Sequence, residues 1–66
     1  MRVIVNGEDR DLGPAADLAA LIAVLGLDAR KVAVERNLAI VPRSLYAGTA
    51  LAEGDRIEIV HFIGGG

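Results

Sequence analysis

One stretch of this chain carries the apolar period of a helix, and that limits what the rest can build. Leu18, Leu21, Ile22 and Leu25 recur at i, i+3, i+4 and i+7, the stripe of a helix packed on one side. Asp17 stands just ahead as an N-cap, whose carboxylate can accept from the free amides of the first turn. Pro14 offers an earlier first helical position. Gly26 follows as a left-handed cap, with Leu27 folding back as its apolar contact. The opposite face, Ala19, Ala20, Ala23 and Val24, carries no charge. It reads either as alanine helix propensity or as a contact surface for another subunit.

The other strand-like stretches are short: the apolar residues 1–5, 32–36, 40–41 and 56–63, and the polar residues 8–12 with Leu12 as their apolar anchor. Asn6-Gly7 is a two-residue hairpin signal, because both central positions of a type I′ turn need positive φ. Gly13-Pro14 breaks the polar return strand. Residues 37–39 make a second turn, and Pro42 confines the strand before it to an edge or an ending. Residues 43–48 read as irregular or as a single helical turn, and Glu53-Gly54-Asp55 reverses the chain. The order is β, β, α, β, short β, β. One helix covers one face of one sheet. The expected fold class is therefore α+β, with a mixed four- to five-stranded sheet and one main helix on one face. With the first and last strands parallel and adjacent, the helix crosses the sheet as a grasp. Residues 1–63 form the domain and residues 64–66 a flexible glycine tail.

Sixty-six residues without a cysteine have no disulfide to staple them, and the single histidine rules out a Cys/His zinc cluster. The chain must fold on burial alone, which 53% hydrophobic residues can support. A net charge of −2 leaves no basic stripe for nucleic acid. Met1 leads straight into a strand-like run with no cleavage motif. The longest apolar stretch, residues 18–25, is too short to span a bilayer. The expected location is cytoplasmic.

Catalytic constellations are missing. His61 has no partner of the usual kind, and Ser44 and Thr49 have no base beside them in sequence. Asp9 and Asp11 share a strand face, but a solvated edge explains them better than a metal. Gly64-Gly65-Gly66 precedes no helix and so cannot cradle a phosphate. No catalytic residue, no metal ligand and no cofactor bound by the chain itself are expected; it reads as a non-enzyme.

The tail is where chemistry remains. Three glycines directly after a buried strand form a thread without side chains, reaching roughly 10 Å. A carboxylate on Gly66 becomes electrophilic once a partner adenylates it with ATP, and a sulfur nucleophile can then convert it to a thiocarboxylate. Strand alternation places Ile4, Val60 and Phe62 on the sheet face away from the helix. With Ile63 they form an expected partner-binding patch at the root of the tail.

With these residues in view, the chain resembles the ThiS family of sulfur carrier proteins, of the ubiquitin-like β-grasp fold. The resemblance rests on the opening Met1-Arg2-Val3-Ile4-Val5-Asn6-Gly7, on Leu25-Gly26-Leu27, and on Val34-Glu35-Arg36-Asn37 followed by Ile40-Val41-Pro42-Arg43-Ser44. Gly54-Asp55-Arg56-Ile57-Glu58-Ile59-Val60 and the glycine end complete it. Leu38-Ala39 departs from the Gly-Glu often found in that turn. The resemblance implies adenylation of Gly66 by a ThiF-like enzyme using ATP, with Gly64, Gly65 and Gly66 entering the partner's channel. It further implies sulfur from cysteine through a desulfurase, and delivery to a ThiG-like thiazole synthase in thiamine biosynthesis. Two alternatives stay open: a carrier for molybdopterin or another sulfur product, and a ubiquitin-like protein-interaction module.

Overall fold

The structure, a computed structural model, describes residues 1–62. The expected Asn6-Gly7 turn joins β1 (Arg2–Val5) to an antiparallel β2 (Glu8–Asp11), with Asn6 at φ 50° and Gly7 at φ 82°. Asparagine tolerates this left-handed region better than other residues with side chains, and glycine enters it without a Cβ clash. Every residue of β2 is exposed, as a polar edge strand should be.

Helix α1 spans Leu18–Val24. The Asp17 carboxylate accepts from the Ala20 amide at 2.8 Å, satisfying one of the free donors of the first turn. At the other end the Leu27 amide donates to the Ile22 carbonyl and the Gly26 amide to the Ala23 carbonyl. That pair of bonds is a Schellman motif, and Gly26 at φ 73° supplies its left-handed residue. Leu18, Leu21 and Ile22 are buried, whereas Leu25 is only partly so because the helix has already ended. Of the uncharged face, Ala19 and Ala20 pack against the core and Val24 lies open. The Ala19 amide also donates to the Tyr46 carbonyl, tying the helix to the segment after β4.

A 3₁₀ turn at Ala29–Lys31 leads into β3 (Val32–Arg36), which turns through Asn37 and Leu38 into β4 (Ala39–Val41). Pro42 ends β4, and a second 3₁₀ turn, Arg43–Leu45, follows it. The chain closes with β5 (Arg56–His61). The sheet order is β2-β1-β5-β3-β4, with β5 parallel to β1 and antiparallel to β3. The last strand is thus central, with every other strand ranged around it.

The core lies between α1 and one sheet face. Val3, Val5, Val32, Val34, Ile57 and Ile59 point from the sheet toward Leu18, Leu21 and Ile22, and Leu12, Ala15, Tyr46 and Leu51 close the sides. Truncating a fully buried leucine such as Leu21 to alanine costs about 2–5 kcal/mol in such a core, a large share of what a domain this small can hold.

Candidate functional site

The strand that leads to the tail is fixed by two different devices. On the β3 side the antiparallel ladder runs in register from Arg36 opposite Ile57 to Val32 opposite His61, and the Phe62 amide donates to the Lys31 carbonyl at 2.7 Å. On the β1 side only Ile4–Arg56 and Val5–Ile57 pair, because β1 turns away at Asn6. The last backbone bonds there run from the Ile4 amide to the Asp55 carbonyl and from the Asn6 amide to the Ile57 carbonyl.

Ile59, next along that side, would be left with a buried amide and carbonyl. Asn6 answers both with its carboxamide. The Ile59 amide donates to Asn6 Oδ1 at 2.7 Å, and Asn6 Nδ2 donates to the Ile59 carbonyl at 3.2 Å. A primary amide has the donor and acceptor of a peptide group, so the side chain imitates one further residue of a parallel strand. The sequence marked Asn6 as a turn residue; its second role needs the register of β5 and is invisible without it.

The start of β5 has its own lock. Asp55 is 7% exposed, and its carboxylate accepts from Arg36 Nε at 2.9 Å, Asn37 Nδ2 at 3.0 Å and the Ala52 amide at 2.8 Å. Burial pushes this carboxyl up, but the bonds from Asn37, Ala52 and Arg36 outweigh it and hold Asp55 below its ordinary value. Asn37 Oδ1 accepts from the Arg56 amide, and the Asn37 amide donates to the Arg56 carbonyl. The β3–β4 turn is thereby fastened to the strand beside it.

Of the predicted patch residues, Ile4 and Val60 lie on the sheet face away from α1, but not together. Val60 and Phe62 are 62% and 51% exposed and sit two positions apart at the end of the described chain. Ile4 is half-buried and pairs with Arg56, near the start of β5. Four strand positions, about 13 Å, separate its row from that of Val60. The sequence assigned the face from alternation and lacked the register that sets distance along it. Between the two rows Glu58 stands directly opposite Glu35, which itself stands opposite Ile40. Among the described residues neither glutamate joins an ion pair. Like charges so placed repel. The neighbours of Val60 on this face are therefore Ala33, its partner across the ladder, and the Glu35–Glu58 pair. Ile40, 79% exposed, extends the apolar surface on the far side of Glu35. Ile63, Gly64, Gly65 and Gly66 lie outside the described residues.

His61 is exposed, and Ser44 and Thr49 are separate from it; the Thr49 hydroxyl donates to the Leu45 carbonyl at 2.7 Å as a local turn bond. Among the described residues no group of three or more carboxylates and histidines is placed to hold a metal ion, and no helix is long and apolar enough to cross a membrane.

Comparison with known proteins gives this geometry a family. The sequence model of the ThiS family matches residues 3–66. The sulfur carrier protein ThiS of Bacillus subtilis is 41% identical over 66 residues, covering 94% of this chain and 96% of that protein. A thiazole synthase of Paramagnetospirillum magneticum is 54% identical over 66 residues, covering all of this chain but only 20% of that protein. The chain thus spans about a fifth of the length of the thiazole synthases it matches. The crystal structure of a thiamine biosynthesis protein (ThiS) from Geobacter metallireducens superposes with a TM-score of 0.83 at 30% identity, each chain covered completely. With a β-grasp architecture of one helix on a five-stranded mixed sheet, and a family match over residues 3–66, the chain belongs to the ThiS family of sulfur carriers.

Proposed function

We propose that this chain carries sulfur on the carboxylate of Gly66 for thiazole formation in thiamine biosynthesis. The observation that carries the reading is the likeness to the Bacillus sulfur carrier across 96% of that protein's length. The thiazole synthases in which a closely similar stretch makes up a fifth of the polypeptide support the same destination.

The chemistry follows from a carboxylate's poor electrophilicity. One Gly66 oxygen attacks the α-phosphorus of ATP in a ThiF-like adenylating enzyme; pyrophosphate leaves and an acyl adenylate forms. A sulfur nucleophile, supplied from cysteine by a desulfurase, adds to that carbonyl. AMP departs with the oxygen and a C–S bond replaces the C–O bond. The nucleophile being the terminal sulfur of a persulfide, the product is an acyl disulfide. A thiol attacks its outer sulfur, forming a disulfide and releasing the thiocarboxylate. The thiocarboxylate then gives its sulfur to a thiazole synthase. Gly64, Gly65 and Gly66 have no side chain, so a narrow channel can admit them to the reacting carbon. Catalysis belongs to the partners, and ATP binds to the adenylating enzyme. Val60, Phe62 and Ile63 serve as the docking patch next to the tail, with Ile4 at its far margin, and the cytoplasm is the compartment.

The test uses a chain ending at Gly66, incubated with the adenylating enzyme, ATP and a sulfur donor. Intact mass should show one oxygen exchanged for one sulfur. An unchanged mass, with an enzyme competent on its own carrier, contradicts the reading.

A further inference from the structure

The backbone of β5 has an unfilled lane on its β1 side. Odd-numbered residues of this strand direct their amides and carbonyls toward β1: Asp55, just before the strand, and Ile57 accept from Ile4 and Asn6, and Ile59 is held by the Asn6 carboxamide. Even-numbered residues face β3, as the Asn37–Arg56 and Phe62–Lys31 bonds establish. His61 is the next odd residue. Its pairing with Val32 is therefore of the non-hydrogen-bonded kind, and its amide and carbonyl face the lane that β1 vacates. Among the described residues nothing bonds to them there. A groove of about 280 Å³ opens at the start of this lane, with Val5, Leu25, Leu27 and Ile59 in its wall and Glu8 and Arg10 beside them.

We propose that an extended segment of a thiazole synthase pairs with β5 at His61, extending the sheet in the lane beyond Asn6 and placing one apolar side chain in the Leu25–Leu27–Ile59 groove. This rests on the carrier reading above and names how one partner docks. An open strand edge is a template for another strand: main-chain bonds supply affinity, and pockets on alternate sides supply selectivity. The occupant is a thiazole synthase because the similar stretch in the Paramagnetospirillum and Magnetococcus proteins is part of a thiazole synthase polypeptide. There the edge and its occupant are held at high local concentration, where a few main-chain bonds suffice. The Asn6 carboxamide sets where the lane begins, because it closes Ile59 to the incoming strand and leaves His61 open.

Among the described residues His61→Pro removes the one lane-facing amide left without a partner, without removing a bond to β3. His61→Ala keeps that amide and removes the imidazole. Binding to a purified thiazole synthase that lacks a carrier stretch of its own is measured for both, with amide hydrogen exchange on the unsubstituted chain. The expected result is an affinity loss of about tenfold or more for His61→Pro, less than threefold for His61→Ala, and slowed exchange of the His61 amide in the complex. If His61→Pro does not fold, the exchange measurement alone decides. A His61 amide that exchanges as fast in the complex as in the free chain overturns the proposal, as does a folded His61→Pro that binds like the original. Charging of Gly66 is read separately by mass with the adenylating enzyme. A chain that is charged but unprotected at His61 sinks the edge and spares the carrier; one that is protected but never charged supports the edge and sinks the carrier.

Discussion

Arg36 Nε lies 2.9 Å from Oδ2 of Asp55, and this pair joins the end of β3 to the residue before β5. Asp55 is nearly enclosed while the Arg36 side chain is one-third exposed, so solvent screens the arginine more than the carboxylate. The carboxylate also holds the Ala52 amide and Asn37. Replacing Asp55 by alanine strands three donors together, which should cost about 2–3 kcal/mol. Urea unfolding measures it, and a loss below half a kcal/mol would show the network to be dispensable.

The same carboxylate predicts an acid limit. Its proton affinity is lowered in the folded state, so it contributes stability above the unfolded value, near 3.9, and that contribution fades as pH falls through the folded value. The stability gap between the natural chain and Asp55→Asn should therefore be constant from pH 7 to about 5 and shrink below about 4. A gap that widens on acidification contradicts this sign.

Asn6→Gly relieves the left-handed backbone at position 6 yet removes both bonds to Ile59. Orphaning a partly buried amide and carbonyl costs about 1–3 kcal/mol, more than the few tenths regained in the turn. The variant should be less stable by about 1–2 kcal/mol in urea. Equal stability would mean that water replaces the carboxamide without loss.

Leu38 sits at φ 72° in the β3–β4 turn and is 81% exposed. A side chain in that region costs about 1–2 kcal/mol, and glycine's greater unfolded-state freedom returns about half of the gain. Leu38→Gly should therefore stabilise by about 0.5–1 kcal/mol and raise Tm by roughly 2–8 °C. A lower Tm would show that the leucine packs in some way its exposure conceals.

Phe62→Asp places a charge on the exposed patch without touching the core. Affinity for the adenylating enzyme should fall by about tenfold, the loss of one apolar anchor of roughly 1.4 kcal/mol. Unchanged affinity by calorimetry removes Phe62 from the docking surface.

Some of this was legible in the residues. The spacing of Leu18, Leu21, Ile22 and Leu25 with Asp17 before and Gly26 after defines the helix, because cap and period agree. Asn6-Gly7 defines a turn for the same local reason. Leu38 in a left-handed conformation was not legible, since nothing in leucine favours it; Asn37, docked on Asp55 and Arg56, imposes the turn from outside. Nor was the separation of Ile4 from Val60. Alternation tells which face a residue takes, whereas its distance along that face depends on register between strands more than fifty residues apart. The Asn6–Ile59 bonds are hidden for the same reason.

The account stands on the Gly66 carboxylate as the sulfur-bearing group. Fragmenting the charged chain in a mass spectrometer locates the sulfur most directly. The account predicts that the whole mass gain maps to Gly66 and vanishes from a chain ending at Gly64, which keeps its fold. Sulfur found on any other residue, or charging that survives the loss of Gly65 and Gly66, contradicts it.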